Sequence, residues 1–387
     1  MLAGKFRLRY NDVEVYFGRG VLKEKLEEVV KGYVKALVIT SKTAARVSGA
    51  LSDVARALSS AGIEYVLYDK VAPNPYTSMA DEAAELAESE GVDLILAVGG
   101  GSVIDVAKAA SLLAGSKVSA RDLVMGAKAS PHRTSLVVVN LTHGTGSEVN
   151  RFAVLTIDGT IEKRGFVARY PNVSFDDPVY TTTLSRQQTI YTSLDAFYHA
   201  YESATSKRSN IMVLSLAEQA VSHIAESLGR VLEEPTNVEA RARLLYASMI
   251  AGIAIDLSGG SHLNHALEHG LSGVNPRIPH GAGLAMLGPR VVYYTHKASP
   301  EASARLLRHL DPSIRPVPDD ADKAAKAVEA FQKSLGFAER LSDYGLAESD
   351  LKKALDFVEK TIAERYHANM PFSVTRELLE EIARTAL

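Results

Sequence analysis

Cysteine is absent from the 387-residue sequence. That absence excludes a disulfide scaffold, a cysteine-ligated zinc site, an iron–sulfur cluster and a cysteine nucleophile. Any metal ion that the chain binds must therefore be held by histidine and carboxylate side chains. The sequence contains 11 histidines and 46 acidic residues that could do so.

A surplus of positive charge and a long apolar run are also missing. The formal net charge is -3, which gives no basic excess to neutralise a nucleic-acid backbone or an anionic bilayer. No apolar run reaches the length that a bilayer requires, and the N-terminal segment MLAGKFRLRYNDVEVYFG mixes charged with apolar residues. We therefore expect no nucleic-acid partner, no membrane partner and a cytoplasmic location.

Short β-branched runs alternate with helical patterns from about Ala36 to Val139. The runs ALVIT, YVLYD, LILAVGG and SLVVVN are separated by helical segments such as SDVARALSSAG and VIDVAKAASLLAG. This alternation is typical of a parallel sheet with helices on both faces. Because the runs are apolar, the strands are expected to be buried on both sides.

The second half of the chain has a different pattern. Phe152 to Tyr180 predicts irregular strands and turns, and beyond Leu184 nearly every segment has helical periodicity. A chain of 387 residues also exceeds the comfortable size of one core. We therefore predict two domains, an α/β domain at 1–184 and an all-helical domain at 185–387.

A glycine triplet, Gly99 to Gly101, lies between a predicted strand and a predicted helix. Such glycines let the backbone turn tightly, and the following helix N-terminus offers free N–H groups to a pyrophosphate. Ser102 is expected to cap that helix. From this motif alone, a purely structural turn is an equal alternative. The spacing matches neither G-x-G-x-x-G nor a Walker A loop, so specific ATP hydrolysis is not supported.

A second polar segment, LTHGTGSEVN at 141–150, follows another apolar strand. It offers the hydroxyl groups of Thr142, Thr145 and Ser147. Taken alone, a segment of this composition predicts a turn more readily than a binding site.

Histidines and one aspartate recur at helical spacing in the second half. Asp195 and His199 are four residues apart, which puts both side chains on one face of a helix, and His265 and His269 repeat that spacing. His280 follows in the segment PHG, where the glycine is expected to let the chain turn close to a ligand.

An imidazole-rich set with one carboxylate suits Fe²⁺ or Zn²⁺ and is poor for Mg²⁺ or Ca²⁺, which prefer oxygen ligands. From the residues alone, His262, His265 and His269 cannot be ranked as ligands. The alternative for each pair is two hydrogen-bonded helix residues with no metal.

At this point the sequence resembles the iron-containing, or group III, alcohol dehydrogenase family over nearly its whole length. Several separate motifs in one order carry the resemblance: PNPYTS at 73–78, GGGSVIDVAKA at 99–109, THGTGSEV at 142–149, DP at 177–178, LDAFYHAYES at 194–203, HALEHGLSG at 265–273 and PHGAGLAML at 279–287.

The resemblance implies an N-terminal Rossmann-like dinucleotide-binding α/β domain and an all-α C-terminal metal-binding domain. It implies hydride transfer between a small alcohol, or its aldehyde or ketone, and a nicotinamide cofactor in a homodimeric enzyme. It implies that Fe²⁺, or alternatively Zn²⁺, is held by Asp195, His199, His265 and His280. His269 is implied to stand beside the substrate, where we expect it to relay a proton.

The same resemblance implies the residues that contact NADP or NAD. Gly100, Gly101 and Ser102 are assigned to the pyrophosphate and Asp105 to the nicotinamide side. The further implied contacts are Asn74, Thr142, Thr145 and Lys163.

One departure from the family pattern concerns the cofactor. Many NAD-preferring members carry an aspartate after the first strand of the nucleotide-binding fold, whereas this chain has Ser41 there, followed by Lys42. Loss of the carboxylate removes a charge that would repel a 2′-phosphate, and a lysine could attract one. We therefore expect NADP(H) to be preferred.

Three alternatives remain open at this level. A glycerol dehydrogenase-like or dehydroquinate synthase-like enzyme would keep the fold, the metal and NAD. A metal-dependent hydrolase would use the metal and leave the glycine-rich turn structural. A non-catalytic interaction protein would use neither.

Overall fold

The computed structural model describes residues 4–129 and 134–387, and these divide into two compact units. The first unit contains the chain up to Thr160, Arg164–Leu184 and Pro235–Leu245. The second contains Ile161–Lys163, Ser185–Glu234 and Tyr246–Leu387.

A sheet of seven strands forms the centre of the first unit, in the order β1-β2-β9-β6-β5-β3-β4. Its strands are parallel except for the antiparallel pair β1 and β2. Their bounds are β1 Phe6–Tyr10, β2 Val13–Phe17, β3 Lys35–Thr40, β4 Glu64–Tyr68, β5 Leu94–Gly99, β6 Ser135–Asn140 and β9 Val173–Asp176. A separate two-stranded sheet consists of β7 Phe152–Thr156 and β8 Lys163–Val167.

Helices cover both faces of the seven-stranded sheet. They are α1 Val21–Val30, α2 Ala44–Val47, α3 Ala50–Ser60, α4 Thr77–Ser89, α5 Gly101–Leu113 and α6 Ala120–Val124. Successive residues of β5 enter opposite cores: Ile95 packs with α4 and α5, whereas Leu94 and Leu96 pack with α1 and α3. This alternation explains why the strand is apolar at every position, and it confirms the predicted doubly covered sheet.

The second unit is helical. Its helices are α7 Arg186–Thr205, α8 Ile211–Glu233, α9 Val238–Leu257, α10 Leu263–Val274, α11 His280–Ala298, α12 Pro300–Leu307, α13 Ala321–Ser334, α14 Glu348–Thr361 and α15 Arg376–Thr385. The first part of α9, up to Leu245, groups with the first unit. Across the described part of the chain, no helix is long and apolar enough to cross a membrane.

Two buried carboxyl groups lie near the end of β9. Glu148 and Asp176 are 1% and 0% exposed. Asp176 accepts a hydrogen bond from Asn140 Nδ2 at 3.0 Å, but its second oxygen has no hydrogen-bond partner within residues 4–129 and 134–387. Burial raises the pKa of Asp176 to about 7, and burial together with the charge of Asp176 raises the pKa of Glu148 well above its usual value.

We expect this burial to make stability fall between about pH 4 and pH 7. A carboxyl group whose pKa is raised on folding favours the folded state below its unfolded pKa and loses that contribution as pH rises through the folded pKa. Asp176→Asn removes this ionisation. The free energy of unfolding of the variant minus that of wild type should therefore increase as pH rises, by up to about 4 kcal/mol. Urea unfolding of both proteins from pH 4 to pH 8 measures the difference.

Asp320→Asn is the matched control for this prediction. Hydrogen bonds from Arg315 lower the pKa of Asp320. Its stabilisation is therefore present above the unfolded pKa and is lost only below about pH 4, so the difference between Asp320→Asn and wild type should stay nearly constant from about pH 4 to pH 8. Parallel pH curves for wild type and Asp176→Asn would contradict the prediction.

Candidate metal centre and nucleotide site

Three helices of the second unit carry the predicted metal ligands. Asp195 and His199 lie one turn apart on α7 and are 3% and 9% exposed. His265 lies on α10, and His280 is the first residue of α11. The helical spacing expected from the sequence is therefore present on α7, while the other two predicted ligands come from separate helices.

The structure brings these four side chains together around one carboxylate oxygen. Asp195 Oδ1 lies 3.3 Å from His199 Nδ1, 3.6 Å from His265 Nε2 and 3.6 Å from His280 Nε2. Ligand atoms placed about 2.1 Å from a tetrahedral metal ion are separated by about 3.4 Å. The measured separations match that spacing.

Unsatisfied buried atoms support the same interpretation. Asp195 Oδ1 and His265 Nε2 are both buried, and neither makes a hydrogen bond to another residue that the structure describes. Buried polar atoms without partners are rare and call for an explanation, such as an ion. One carboxylate and three imidazoles form a donor set that fits Fe²⁺ or Zn²⁺.

The histidines keep Asp195 ionised. Burial alone would raise its pKa, but the positive charges of His199, His280 and His265 lower the pKa well below its usual value. The carboxylate is therefore charged at neutral pH, as a metal ligand must be.

The structure also ranks the histidines that the sequence left open. His262 is fully buried at the start of α10, where Nδ1 accepts a hydrogen bond from Leu263 N at 2.8 Å and Nε2 lies 3.0 Å from Thr205 Oγ1. Among the described histidines of α10 and its cap, His265 is the one whose ring nitrogen reaches Asp195. His262 is thus engaged in capping the helix.

His269 lies beside the ligand rings. Its ring centroid is 5.6 Å from that of His280 and 6.4 Å from that of His265. Its Nδ1 lies 3.0 Å from the hydroxyl of Tyr366, which ends a π-helical turn. Burial and the charge of Lys163 lower the pKa of His269 well below its usual value, so the imidazole is neutral.

Two glutamates that received no role from the sequence also belong to this cluster. Glu202 hydrogen-bonds Nδ1 of His265, and Glu268 hydrogen-bonds Nδ1 of His280. Glu202 lies seven residues after Asp195 on α7. Glu268 lies on α10 between His265 and His269. That spacing was visible in the sequence, but nothing there indicated which ring each carboxylate would reach.

Lys163, predicted as a cofactor contact, groups with the helical unit. Its Nζ lies 3.1 Å from Glu268 Oε2, 3.0 Å from Ser272 Oγ and 3.4 Å from His280 Nδ1, and the residue is 4% exposed. The structure therefore associates Lys163 with the metal cluster, and its contact with a cofactor stays a prediction.

Glycines of α11 explain how His280 comes close to α7. A methyl group at Gly281 would overlap the carbonyl oxygen of Tyr191, and one at Gly288 would overlap the ring of Tyr198. The expectation that Gly281 provides a turn was wrong, because this residue lies within a helix. Its function is to permit close packing of α11 against α7.

In the first unit, the glycine-rich turn and the hydroxyl-rich loop lie side by side. Gly99 pairs with Asn140 across β5 and β6, so both segments leave the same edge of the sheet. A methyl group at Gly100 would come within 2.6 Å of Thr142 Cγ2, and one at Gly101 within 2.7 Å of Thr145 Oγ1. Gly100, Gly101, Thr142 and Thr145, which are predicted to contact the cofactor, therefore lie on one surface. A side chain at either glycine would collide with a threonine.

The helix after this turn begins two residues earlier than expected. Gly100 is the N-cap of α5, and Ser102 lies inside its first turn, so the prediction that Ser102 caps the helix was wrong. The glycines allow the backbone itself to enter the helix at this point. Binding of an anion at the N-terminus of this helix stays a prediction.

Asp105 anchors the hydroxyl-rich loop. Its Oδ1 accepts a hydrogen bond from Ser147 Oγ at 2.6 Å and its Oδ2 accepts one from Val154 N at 2.9 Å. A contact between Asp105 and the nicotinamide side stays a prediction. The observed function of the carboxylate is to fix the loop that carries Thr142 and Thr145.

The other two predicted cofactor residues lie on separate loops of the same unit. Ser41 directly follows β3, and the pairing of Thr40 with Val98 puts it at the sheet edge that carries the glycine-rich turn. Asn74 is 8% exposed and adopts a left-handed conformation with φ of 50°. Positive φ is uncommon outside glycine and is tolerated best by asparagine and aspartate.

Comparison with known proteins agrees with this geometry. The sequence profile of iron-containing alcohol dehydrogenases matches residues 13–178, and that of the C-terminal domain of the same family matches 189–387. The chain belongs to the iron-containing alcohol dehydrogenase family. It is 36% identical over 386 residues to the long-chain primary alcohol dehydrogenase of Thermoanaerobacter ethanolicus, covering 97% of this chain and 96% of that protein.

Solved structures of this family have the same fold. An archaeal halo-thermophilic alcohol dehydrogenase of a Red Sea brine pool is 29% identical with a TM-score of 0.90, covering 100% of both chains. An NADH-dependent butanol dehydrogenase of Thermotoga maritima is 30% identical with a TM-score of 0.89, covering 98% of both chains. These neighbours confirm the predicted α/β nucleotide-binding fold and helical metal-binding fold.

As a member of this family, the protein is a metal-dependent oxidoreductase that interconverts alcohols with aldehydes or ketones. It uses a nicotinamide cofactor and a divalent metal ion such as iron. The relatives do not favour the glycerol dehydrogenase-like, dehydroquinate synthase-like or hydrolase alternatives.

Proposed function

We propose that the protein transfers hydride between a primary alcohol and NADP(H), with a divalent metal ion held by Asp195, His199, His265 and His280. The observation that carries the ligand assignment is the position of Asp195 Oδ1, which lies 3.3 to 3.6 Å from nitrogens of all three histidines. When bound, the ion supplies Lewis acidity, which lowers the pKa of an alcohol hydroxyl and polarises a carbonyl group.

The protein's own residues have separate tasks in this proposal. The four ligands fix the ion, and neutral His269 stands beside them to exchange a proton with the substrate oxygen. Gly100, Gly101 and Ser102 offer backbone and hydroxyl groups to the cofactor pyrophosphate. Asn74, Asp105, Thr142, Thr145 and Lys163 remain further proposed cofactor contacts.

A primary alcohol is supported by the name of the Thermoanaerobacter ethanolicus relative, which acts on long-chain primary alcohols. Rates with NADP⁺ and NAD⁺ across a series of alcohols of increasing chain length, with metal content measured on the same sample, test the proposal. Primary alcohols should be oxidised and secondary alcohols of equal length should be poor substrates. Absence of NADPH and NADH binding would contradict every dehydrogenase assignment.

The preference for NADP(H) depends on Ser41 and Lys42. Ser41 is half-buried at the end of β3, and Lys42 is exposed beside it. The Thermotoga maritima relative is named for NADH, so this preference does not follow from family membership. It follows from the missing carboxylate, because a negative charge here would repel the 2′-phosphate.

Ser41→Asp is therefore expected to shift the ratio of kcat/KM values towards NAD⁺ by about tenfold or more, which corresponds to about 1.4 kcal/mol. Ser41→Asn, which has the same size without the charge, should leave the ratio close to that of wild type. Steady-state kinetics with both cofactors measures the ratio. A wild-type preference for NAD⁺, or equal shifts in both variants, would contradict the assignment.

We also propose a homodimer, a cytoplasmic location and a division between domains at 184 and 185. These follow from the family resemblance and from the change in sequence pattern after Leu184. Size-exclusion chromatography with light scattering tests the first of them.

A further inference from the structure

Two buried glutamates contact the Nδ1 atoms of two proposed ligand rings, those of His265 and His280. Glu202 and Glu268 are each 0% exposed. Glu202 accepts a hydrogen bond from Nδ1 of His265, and Glu268 accepts one from Nδ1 of His280. In both rings the other nitrogen, Nε2, faces Asp195. A proton on Nδ1 leaves the Nε2 lone pair available to a metal ion.

Glu202 is held rigidly from its other side. Its Oε1 accepts hydrogen bonds from the backbone N–H groups of His262 at 3.2 Å and Asn264 at 2.7 Å, at the start of α10. The carboxylate therefore links α7, which carries Asp195, to the helix that carries His265.

Glu268 is held by an ammonium group instead of by backbone amides. Lys163 Nζ lies 3.1 Å from Glu268 Oε2 and 3.3 Å from Oε1. The carboxylate that lies at Nδ1 of His280 is thus paired with a buried ammonium group. His280 is the most exposed of the proposed ligand rings, at 25%.

The charges of the cluster explain why a divalent ion belongs there. Asp195, Glu202 and Glu268 are buried carboxylates, and Lys163 is a buried cation. The imidazoles must be neutral to bind a metal ion, and in that state the three carboxylates and one ammonium group sum to a formal charge of -2. A divalent ion at the centre balances this charge, which lowers the cost of burying it.

We propose that Glu202 and Glu268 are positioning residues, which fix the rings of His265 and His280 so that both Nε2 atoms bind the divalent ion. This inference rests on the proposed metal site and extends it to two residues outside the ligand set. Lys163 neutralises Glu268, but the metal-binding effect belongs to the carboxylate.

The test is a Zn²⁺ titration of the full-length protein after its metal has been removed, in competition with a chromophoric chelator. Glu202→Gln and Glu268→Gln keep the size of the side chain and remove its charge. Each should weaken Zn²⁺ binding by about 10- to 100-fold. The visible absorption spectrum of the Co²⁺-loaded variants should also differ from that of wild type, because the orientation of one ligand ring changes.

Matched variants separate this role from general loss of structure. Lys163→Met breaks the same ion pair as Glu268→Gln but leaves the carboxylate on His280, so its Zn²⁺ affinity should equal or exceed that of wild type. Glu148→Gln removes another fully buried glutamate, in the first unit, and should leave Zn²⁺ affinity unchanged. Circular dichroism of each metal-free variant verifies folding, and Glu268→Gln suffices if Glu202→Gln does not fold.

Wild-type Zn²⁺ affinity in both glutamine variants would overturn the inference, as would equal weakening in Lys163→Met and Glu268→Gln. Asp195→Ala in the same titration distinguishes this failure from failure of the proposed function. If Asp195→Ala also retained wild-type affinity, the ligand set itself would be wrong. If Asp195→Ala lost Zn²⁺ while both glutamine variants kept wild-type affinity, the proposed ligands would be supported and the positioning role of the glutamates would be wrong.

Discussion

Asp195→Ala is expected to abolish metal binding and to lower kcat/KM for alcohol oxidation by about a thousandfold or more. Asp195 is the one carboxylate among the four proposed ligands, and its Oδ1 lies within 3.6 Å of nitrogens of all three histidines. Metal ions contribute several kcal/mol of transition-state stabilisation, and each 1.36 kcal/mol is worth about a factor of ten in rate.

Metal content by atomic spectroscopy and steady-state rates on the same preparation measure the two parts of this prediction. Asp176→Asn is the matched control, because it alters an aspartate that is equally buried but lies in the first unit. It should retain a full complement of metal. Full metal content in Asp195→Ala would show that the metal is held elsewhere.

His269→Ala is expected to retain the metal and to lower kcat by about 100- to 10,000-fold, the range found when a general acid or base is removed. His269 lies beside His265 and His280 but outside the group of nitrogens around Asp195 Oδ1. Its neutral ring, held at Nδ1 by Tyr366, leaves Nε2 as the atom that can exchange a proton.

The measurement is again metal content together with kcat. His309→Ala serves as the control, since His309 is a partly exposed histidine of the same unit, 4.0 Å from Glu218, and its loss should alter neither quantity. Loss of metal from His269→Ala would mean that His269, and not His265, is the ligand, which would reverse the two assignments.

Local sequence patterns predicted much of the first unit. β3, β5 and β6 are apolar at nearly every position because both faces of the sheet are covered, and that property is visible in the sequence. The order of the strands was not predictable in this way. β9 lies between β2 and β6, far from its neighbours in sequence, because it pairs in parallel with both.

The limit of prediction was similar in the metal centre. Asp195 and His199 could be paired from the sequence because a spacing of four residues fixes their relation on any helix. The choice among His262, His265 and His269 could not be made from spacing, because all three lie on or next to α10. Only the packing of α10 against α7 distinguishes the helix cap His262, the proposed ligand His265 and its neighbour His269.

The sequence by itself therefore determined the chemistry available to this protein: no cysteine, one carboxylate and several imidazoles at helical spacing, and a glycine-rich turn after a buried strand. Those properties depend on residue type and on distances of a few residues along one element. Only the tertiary structure decided that Glu202 and Glu268 contact Nδ1 of two proposed ligands, His265 and His280, and that Lys163 pairs with Glu268. These contacts join residues 63, 12 and 105 positions apart, and such contacts exist only once the helices have packed.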